Sequence, residues 1–208
     1  MKTKKTLTTL LIVFFCVVAV QGAKSLMPSN KTATLDKRLL LRSKGDPGGH
    51  MWIVEYVDFQ CKSCQVASAI LESYLNKYPS EIYLQTRFHP MKVHAHGLKS
   101  AFYAECAAKQ GHFWEFHDLL FQGQAEWSKL QEVDETFRGY AERAGMNLKK
   151  LDTCVNDPQT QKTVLKEKEE GTALGVVSTP TFFINGKMVV GPKGLMDELE
   201  AYFKEGLT

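Results

Sequence analysis

Residues 51–65 read M-W-I-V-E-Y-V-D-F-Q-C-K-S-C-Q, and the fold turns on how this stretch is read. Met51, Ile53, Glu55 and Val57 fall on one face of an extended chain, and Trp52, Val54 and Tyr56 on the other. Both faces are largely apolar, the pattern of a central strand covered on two sides, with Glu55 as the exception. From Lys62 onward Val66, Ile70 and Tyr74 recur every four residues, with Ala67, Leu71 and Tyr78 nearby. That spacing predicts a helix ending before Pro79. Cys61 and Cys64 therefore sit where a strand gives way to a helix. A thiolate at Cys61 would face unpaired backbone N–H groups and the positive end of the helix dipole. Such a setting lowers a cysteine pKa and makes a reducible pair rather than an inert staple. Thiol–disulfide exchange is the first functional expectation.

Working outward, residues 81–88 read as a second strand, stopped by His89-Pro90. Strand, helix and strand at this spacing predict a βαβ unit with parallel strands. Residues 91–174 then carry helical periodicity broken at Gly111, Gly123, Gly139, Gly145 and Pro158, with helices expected over 92–109, 112–121, 127–144, 148–154 and 159–173. Their aromatic stripe, including Phe102, Trp114, Phe137 and Tyr140, reads as core. Residues 181–184 form a strand, Asn185-Gly186 a tight type I′ turn, and residues 187–190 the partner strand of a hairpin. A last helix is expected over 193–204. The order is β-α-β, a block of helices, then β-β-α, an α/β class.

The N-terminus reads differently. Lys2, Lys4 and Lys5 precede a mostly apolar run over 7–20, and Val20 and Gly22 make a cleavage pair before Ala23. Residues 1–22 are thus expected to be a signal peptide, with a retained membrane anchor as the alternative. Residues 23–50 are expected to be an arm closed by the turn Asp46-Pro47-Gly48-Gly49. The chain carries 26 Lys+Arg against 23 Asp+Glu; removal of the three N-terminal lysines leaves 23 against 23. The basic excess belongs to the targeting segment, so no nucleic-acid partner is implied. Of five cysteines Cys16 leaves with the signal, and Cys61, Cys64, Cys106 and Cys154 remain. In an oxidising compartment, close spacing makes Cys61–Cys64 the natural pair and leaves Cys106–Cys154 as a candidate structural bridge. The alternative is two unpaired cysteines buried in helices.

Three segments carry a resemblance: E-Y-V-D-F-Q-C-K-S-C before a helix, A-A-K-Q-G-H-F-W-E-F-H-D-L-L-F in the helical block, and V-V-S-T-P-T-F-F-I-N-G before the hairpin. Together they resemble the DsbA-like family of exported thioredoxin-fold thiol–disulfide oxidoreductases. The resemblance implies a thioredoxin fold with a first half over 51–90, an inserted helical domain over 91–174 and a second half over 175–208. It implies that Cys61 exchanges disulfides with substrate while the more buried Cys64 resolves the mixed disulfide. By the same resemblance Lys62 and Ser63, where the best-known family oxidases have Pro-His, tune the redox potential. Pro180 is then a cis-proline packed against the active-site disulfide, and the Thr179 hydroxyl a secondary tuner. Glu55 matches a buried acid that relays the Cys64 proton. Asp58 is expected only to shape the loop. His89, His94 and His96 prompt a zinc reading with the two cysteines, but C-x-x-C zinc sites generally need a second compact pair, so neither metal nor cofactor is expected.

The function expected is disulfide introduction into exported proteins through Cys61-Lys-Ser-Cys64. Isomerase or reductase work, or a redox-inactive polypeptide-binding module, are the alternatives. The expected partners are unfolded or partly folded cysteine-containing exported proteins and a membrane redox partner that recycles the dithiol. The expected location is the periplasm or another extracytoplasmic space. An apolar groove around Phe59, Cys61, Thr179 and Pro180 is expected to hold substrate through backbone contacts.

Overall fold

The alternating apolar strand over residues 51–57 sits in the middle of a five-stranded sheet. The computed structural model describes residues 37–205, so the expected signal peptide and residues 23–36 of the arm lie outside the described residues. The strands are β1 (Ser43–Gly45), β2 (Met51–Val57), β3 (Ile82–Phe88), β4 (Thr181–Ile184) and β5 (Lys187–Val190), in the order β1-β3-β2-β4-β5. β2 and β3 are parallel, with Met51 opposite Ile82 and Val57 opposite Phe88. β4 and β5 run antiparallel on the other side of β2. Asn185 and Gly186 both take positive φ, +48° and +87°, as the tight hairpin turn requires.

The helices are α1 (Lys37–Leu40), α2 (Lys62–Lys77), α3 (Gly97–Lys109), α4 (Phe113–Gln122), α5 (Gln124–Trp127), α6 (Asp134–Arg143), α7 (Leu148–Val155), α8 (Pro158–Ala173) and α9 (Gly191–Glu205). This is the mixed α/β thioredoxin fold, with helices α3–α8 inserted between β3 and β4. α2 and α9 cover one sheet face. There Met51, Ile53, Leu84, Phe182 and Val189 meet Ala67, Leu71, Leu195 and Leu199. A second core gathers Val57, Phe59, Cys64 and Phe88 with Phe113, Phe116, Trp127 and Phe137 of the inserted helices. Cys64 therefore lies in the seam where the inserted helices close over the end of the sheet. α8 approaches β2 closely at Gly171, where an added Cβ would lie 2.7 Å from the Tyr56 ring.

Several local readings change. Residues 43–45 form β1, pairing antiparallel with β3, where only an arm was expected. The arm also delivers Arg42, fully buried, which donates to both Glu167 carboxylate oxygens at 2.8 and 2.5 Å and lies over the Phe88 ring at 4.3 Å. Residues 92–96 form turns rather than helix, and Asp58 accepts from the Met91 N–H and lies against the His94 ring there. The helix expected over 127–144 begins only at Asp134. On α2 the buried stripe is Cys64, Ala67, Leu71 and Leu75, while Val66 is 46% exposed. Trp52 is also exposed, so β2 is covered fully on one face only. Among the described residues no helix is long and apolar enough to cross a membrane.

Candidate active site

Cys61 is the N-cap residue of α2, with extended φ and ψ of −76° and 120° and no side-chain cap. Its carbonyl accepts from Cys64 N–H at 3.1 Å and Gln65 N–H at 3.3 Å, so the first turn forms around it. Its side chain is half-buried, whereas Cys64, three residues into the turn, is buried. Both are free thiols in this structure. The Cys61 Sγ lies 3.2 Å from the Thr179 carbonyl oxygen, and the Thr179–Pro180 peptide is cis. The helix start and the loop before β4 thus meet at one sulfur.

Three groups of donors act on that sulfur. A hydrogen bond from the Cys64 thiol lowers the Cys61 pKa most, burial opposes it, and Thr179 and the Cys64 and Ser63 N–H groups lower it further, to about 5. The Thr179 side chain is the group of that residue that lowers the Cys61 pKa, while the Thr179 carbonyl accepts from the Cys61 thiol in its protonated form at 3.2 Å. Lys62 directs its ammonium to the Gln65 side-chain oxygen, and Ser63 is exposed. Cys64 behaves oppositely. Burial first, then its bond to Cys61 and the charges of Cys61 and Glu55, push its thiol well up. One sulfur holds a negative charge at neutral pH and its neighbour keeps a proton.

Glu55 points from β2 into the interior, 1% exposed, and burial raises its carboxyl to about 8. Its Oε1 has no hydrogen-bond partner among the described residues. A narrow crevice lined by Glu55, Ser68, Leu71, Trp114 and His117 runs beneath the Lys44–Glu72 ion pair, whose N···O distance is 2.6 Å.

Asp58 proves more central than a loop-shaping residue. Fully buried, it accepts from Gln60 N–H at 2.8 Å and Met91 N–H at 2.6 Å, and its Oδ2 lies 2.7 Å from His94 Nδ1. Gly97 lies so close that a Cβ there would come within 2.8 Å of the carboxylate. Gln60 accepts from His96 N–H at 2.7 Å, and Gln124 donates to the carbonyls of Phe59 and Cys61 at 2.7 and 3.0 Å. Gln124 has no periodic or motif signal; Asp58 has one, an acid within an apolar run that has to be buried with donors.

Phe59 does not line a groove. It is fully buried against Phe88, His117 and Phe121. The histidines are engaged separately, His94 with Asp58, His96 with the Leu130 carbonyl at 2.7 Å, and His89 against the Tyr56 ring. Cys106 of α3 and Cys154 of α7 are joined by a disulfide, with Cα atoms 5.8 Å apart.

The family model described as thioredoxin matches residues 42–204. A Na(+)/H(+) antiporter NhaA 3 of Salinispora tropica is 34% identical over 140 residues, 67% of this chain and 21% of that protein. The chain spans about a fifth of the length of the curated relatives it matches. Among solved structures, a thioredoxin-like oxidoreductase from Silicibacter pomeroyi shares 23% identity at a TM-score of 0.63, covering 78% of this chain and 91% of that one. Wolbachia pipientis alpha-DsbA1 shares 19% identity at a TM-score of 0.67, covering 88% and 96%. These likenesses are of fold.

Proposed function

The chain belongs to the thioredoxin family, and from that footing we propose that it is a protein thiol–disulfide oxidoreductase that donates the Cys61–Cys64 disulfide to exported, cysteine-containing polypeptides. The observation that carries this reading is the split between two adjacent thiols: Cys61 half-exposed with its pKa lowered to about 5, Cys64 buried with its pKa raised.

The chemistry follows from that split. A substrate thiolate attacks Cys61 Sγ in the oxidised pair, forming a mixed disulfide and breaking the Cys61–Cys64 bond. The pair of electrons from that bond stays on Cys64, whose high pKa demands a proton. Glu55, protonated at neutral pH, is the buried acid whose charge is felt at Cys64, and it supplies that proton. A second substrate thiolate attacks the substrate sulfur, and Cys61 departs as a stable thiolate. Two electrons have moved from substrate to enzyme. A low leaving-group pKa speeds this last step and stabilises the reduced enzyme, which favours donation over reduction. The Thr179 carbonyl beside Cys61 and the backbone around Pro180 supply pairing groups for an extended substrate.

We place this activity in the periplasm or an equivalent extracytoplasmic space, on the sequence of residues 1–22, with a membrane redox partner reoxidising the dithiol. The test is reoxidation of a reduced, denatured disulfide protein. The full chain should restore its activity catalytically, and Cys61→Ser should abolish the effect. Survival of catalysis in Cys61→Ser would overturn the proposal and leave polypeptide binding as the remaining reading.

A further inference from the structure

The loop that carries Cys61 is gripped from outside its own half of the fold. Gln124 lies on α5, 3% exposed, and its single amide nitrogen donates both hydrogens, to Phe59 O at 2.7 Å and to Cys61 O at 3.0 Å. We infer that Gln124 is a positioning residue for Cys61, holding the entry to α2 so that the N–H groups of the first helical turn stay aimed at the Cys61 sulfur. The inference rests on the exchange chemistry proposed above and assigns part of its activation to the inserted helices.

The geometry explains why an amide is needed. The Cys61 carbonyl already accepts from Cys64 and Gln65 N–H, which fix it along the helix axis. A third donor from the side fixes the rotation of the Cys61–Lys62 peptide, and the direction of the following N–H groups depends on that rotation. The second hydrogen pins the Phe59 carbonyl, so the loop is held at both ends of Gln60. Gln60 itself accepts from His96 N–H and donates to the Ser128 carbonyl at 3.3 Å. Gln65 donates to the Phe121 carbonyl at 2.5 Å. Each of these contacts joins the active-site turn to the inserted segment, and among these contacts between described residues it is the Gln124 one that reaches the main chain of Cys61. Buried amide hydrogens that are both satisfied cost little, whereas an apolar side chain would leave the Phe59 carbonyl without this donor and the Cys61 carbonyl with its two helical bonds but no lateral one.

Titration of the reduced full-length chain by its ultraviolet thiolate absorbance tests the assignment. Gln124→Met keeps the side-chain volume and removes both donors, and Gln124→Leu does the same where Met does not fold. The Cys61 midpoint should rise by about one pH unit, and the equilibrium with glutathione should shift about tenfold towards the oxidised chain. Trp127→Phe, on the same helix but away from the loop carbonyls, should lower stability and leave the midpoint in place. An unmoved midpoint in a folded Gln124 variant, or an equal shift in Trp127→Phe, would overturn the inference. In the unmodified chain the Gln124 side-chain amide protons should be protected from solvent exchange, and free exchange would also overturn it. An ordinary thiol midpoint in the unmodified chain would instead defeat the activity reading, so the two failures are distinguishable.

Discussion

Glu55 shows what a single buried side chain costs and does. Its carboxyl titrates near 8 in the fold and at the ordinary 4.5 when unfolded. The folded chain therefore binds more protons than the unfolded one between these values. The sign follows: the contribution to stability is full below pH 4.5 and is lost as pH rises through about 8. At pH 7 the loss amounts to roughly 3 kcal/mol. Glu55→Gln should remove the loss, so the variant should gain on the unmodified chain as pH climbs from 5 to 8, in urea unfolding of the reduced forms. The same substitution removes the proton supplied to Cys64 and should slow attack on the oxidised pair by about 100-fold. A variant equally stable at every pH, or equally fast, would contradict the role given to this acid. The candidates for this chemistry were legible in two ways: Cys61 and Cys64 through their spacing at a strand-to-helix junction, and Glu55 through the resemblance of its segment to a known family. Gln124 was not, because its role lies in an encounter across more than sixty residues of chain. Phe59 was misread because alternation along an extended chain stops at the turn, which rotates its ring inward against Phe121.

At the scale of elements, the inserted helices were legible as helices and illegible in their limits. α3 begins at Gly97 rather than near residue 92, and the segment before it takes turns that Asp58 holds through the Met91 N–H and the His94 ring. β1 carried no signal, since the three residues S-K-G alternate in nothing and are held only by pairing to β3. Sequence periodicity reports burial within one element, and both of these depend on a neighbour. The bridge between Cys106 and Cys154 likewise left two readings open until α3 and α7 were seen side by side. It closes a loop with a sequence separation of 48 and should contribute about 4 kcal/mol by restricting the unfolded chain. Cys106→Ala/Cys154→Ala should lower the unfolding free energy by up to this amount while the Cys61 midpoint holds. A midpoint that moves with the bridge would mean that the inserted helices act on the active site through their overall rigidity.

Across the whole molecule the two cores divide the labour. The core between α2, α9 and the sheet fixes the start of α2, while the core of the inserted helices buries Cys64 and leaves Cys61 half-exposed at the seam. The α/β class followed from the succession of elements β-α-β, helices, β-β-α, whereas the strand order includes β1, which no sequence pattern announced. That Cys64 lies deeper than Cys61 was expected, and the structure buries Cys64 while leaving Cys61 half-exposed at the seam. The central claim is that this seam holds a ready thiolate. Its most direct test is the ultraviolet absorbance of the reduced chain as pH is lowered, with Cys61→Ser to assign the signal. The account predicts a single thiolate lost with a midpoint near 5 and absent from Cys61→Ser. A midpoint near 9, the ordinary value for a cysteine, would contradict it.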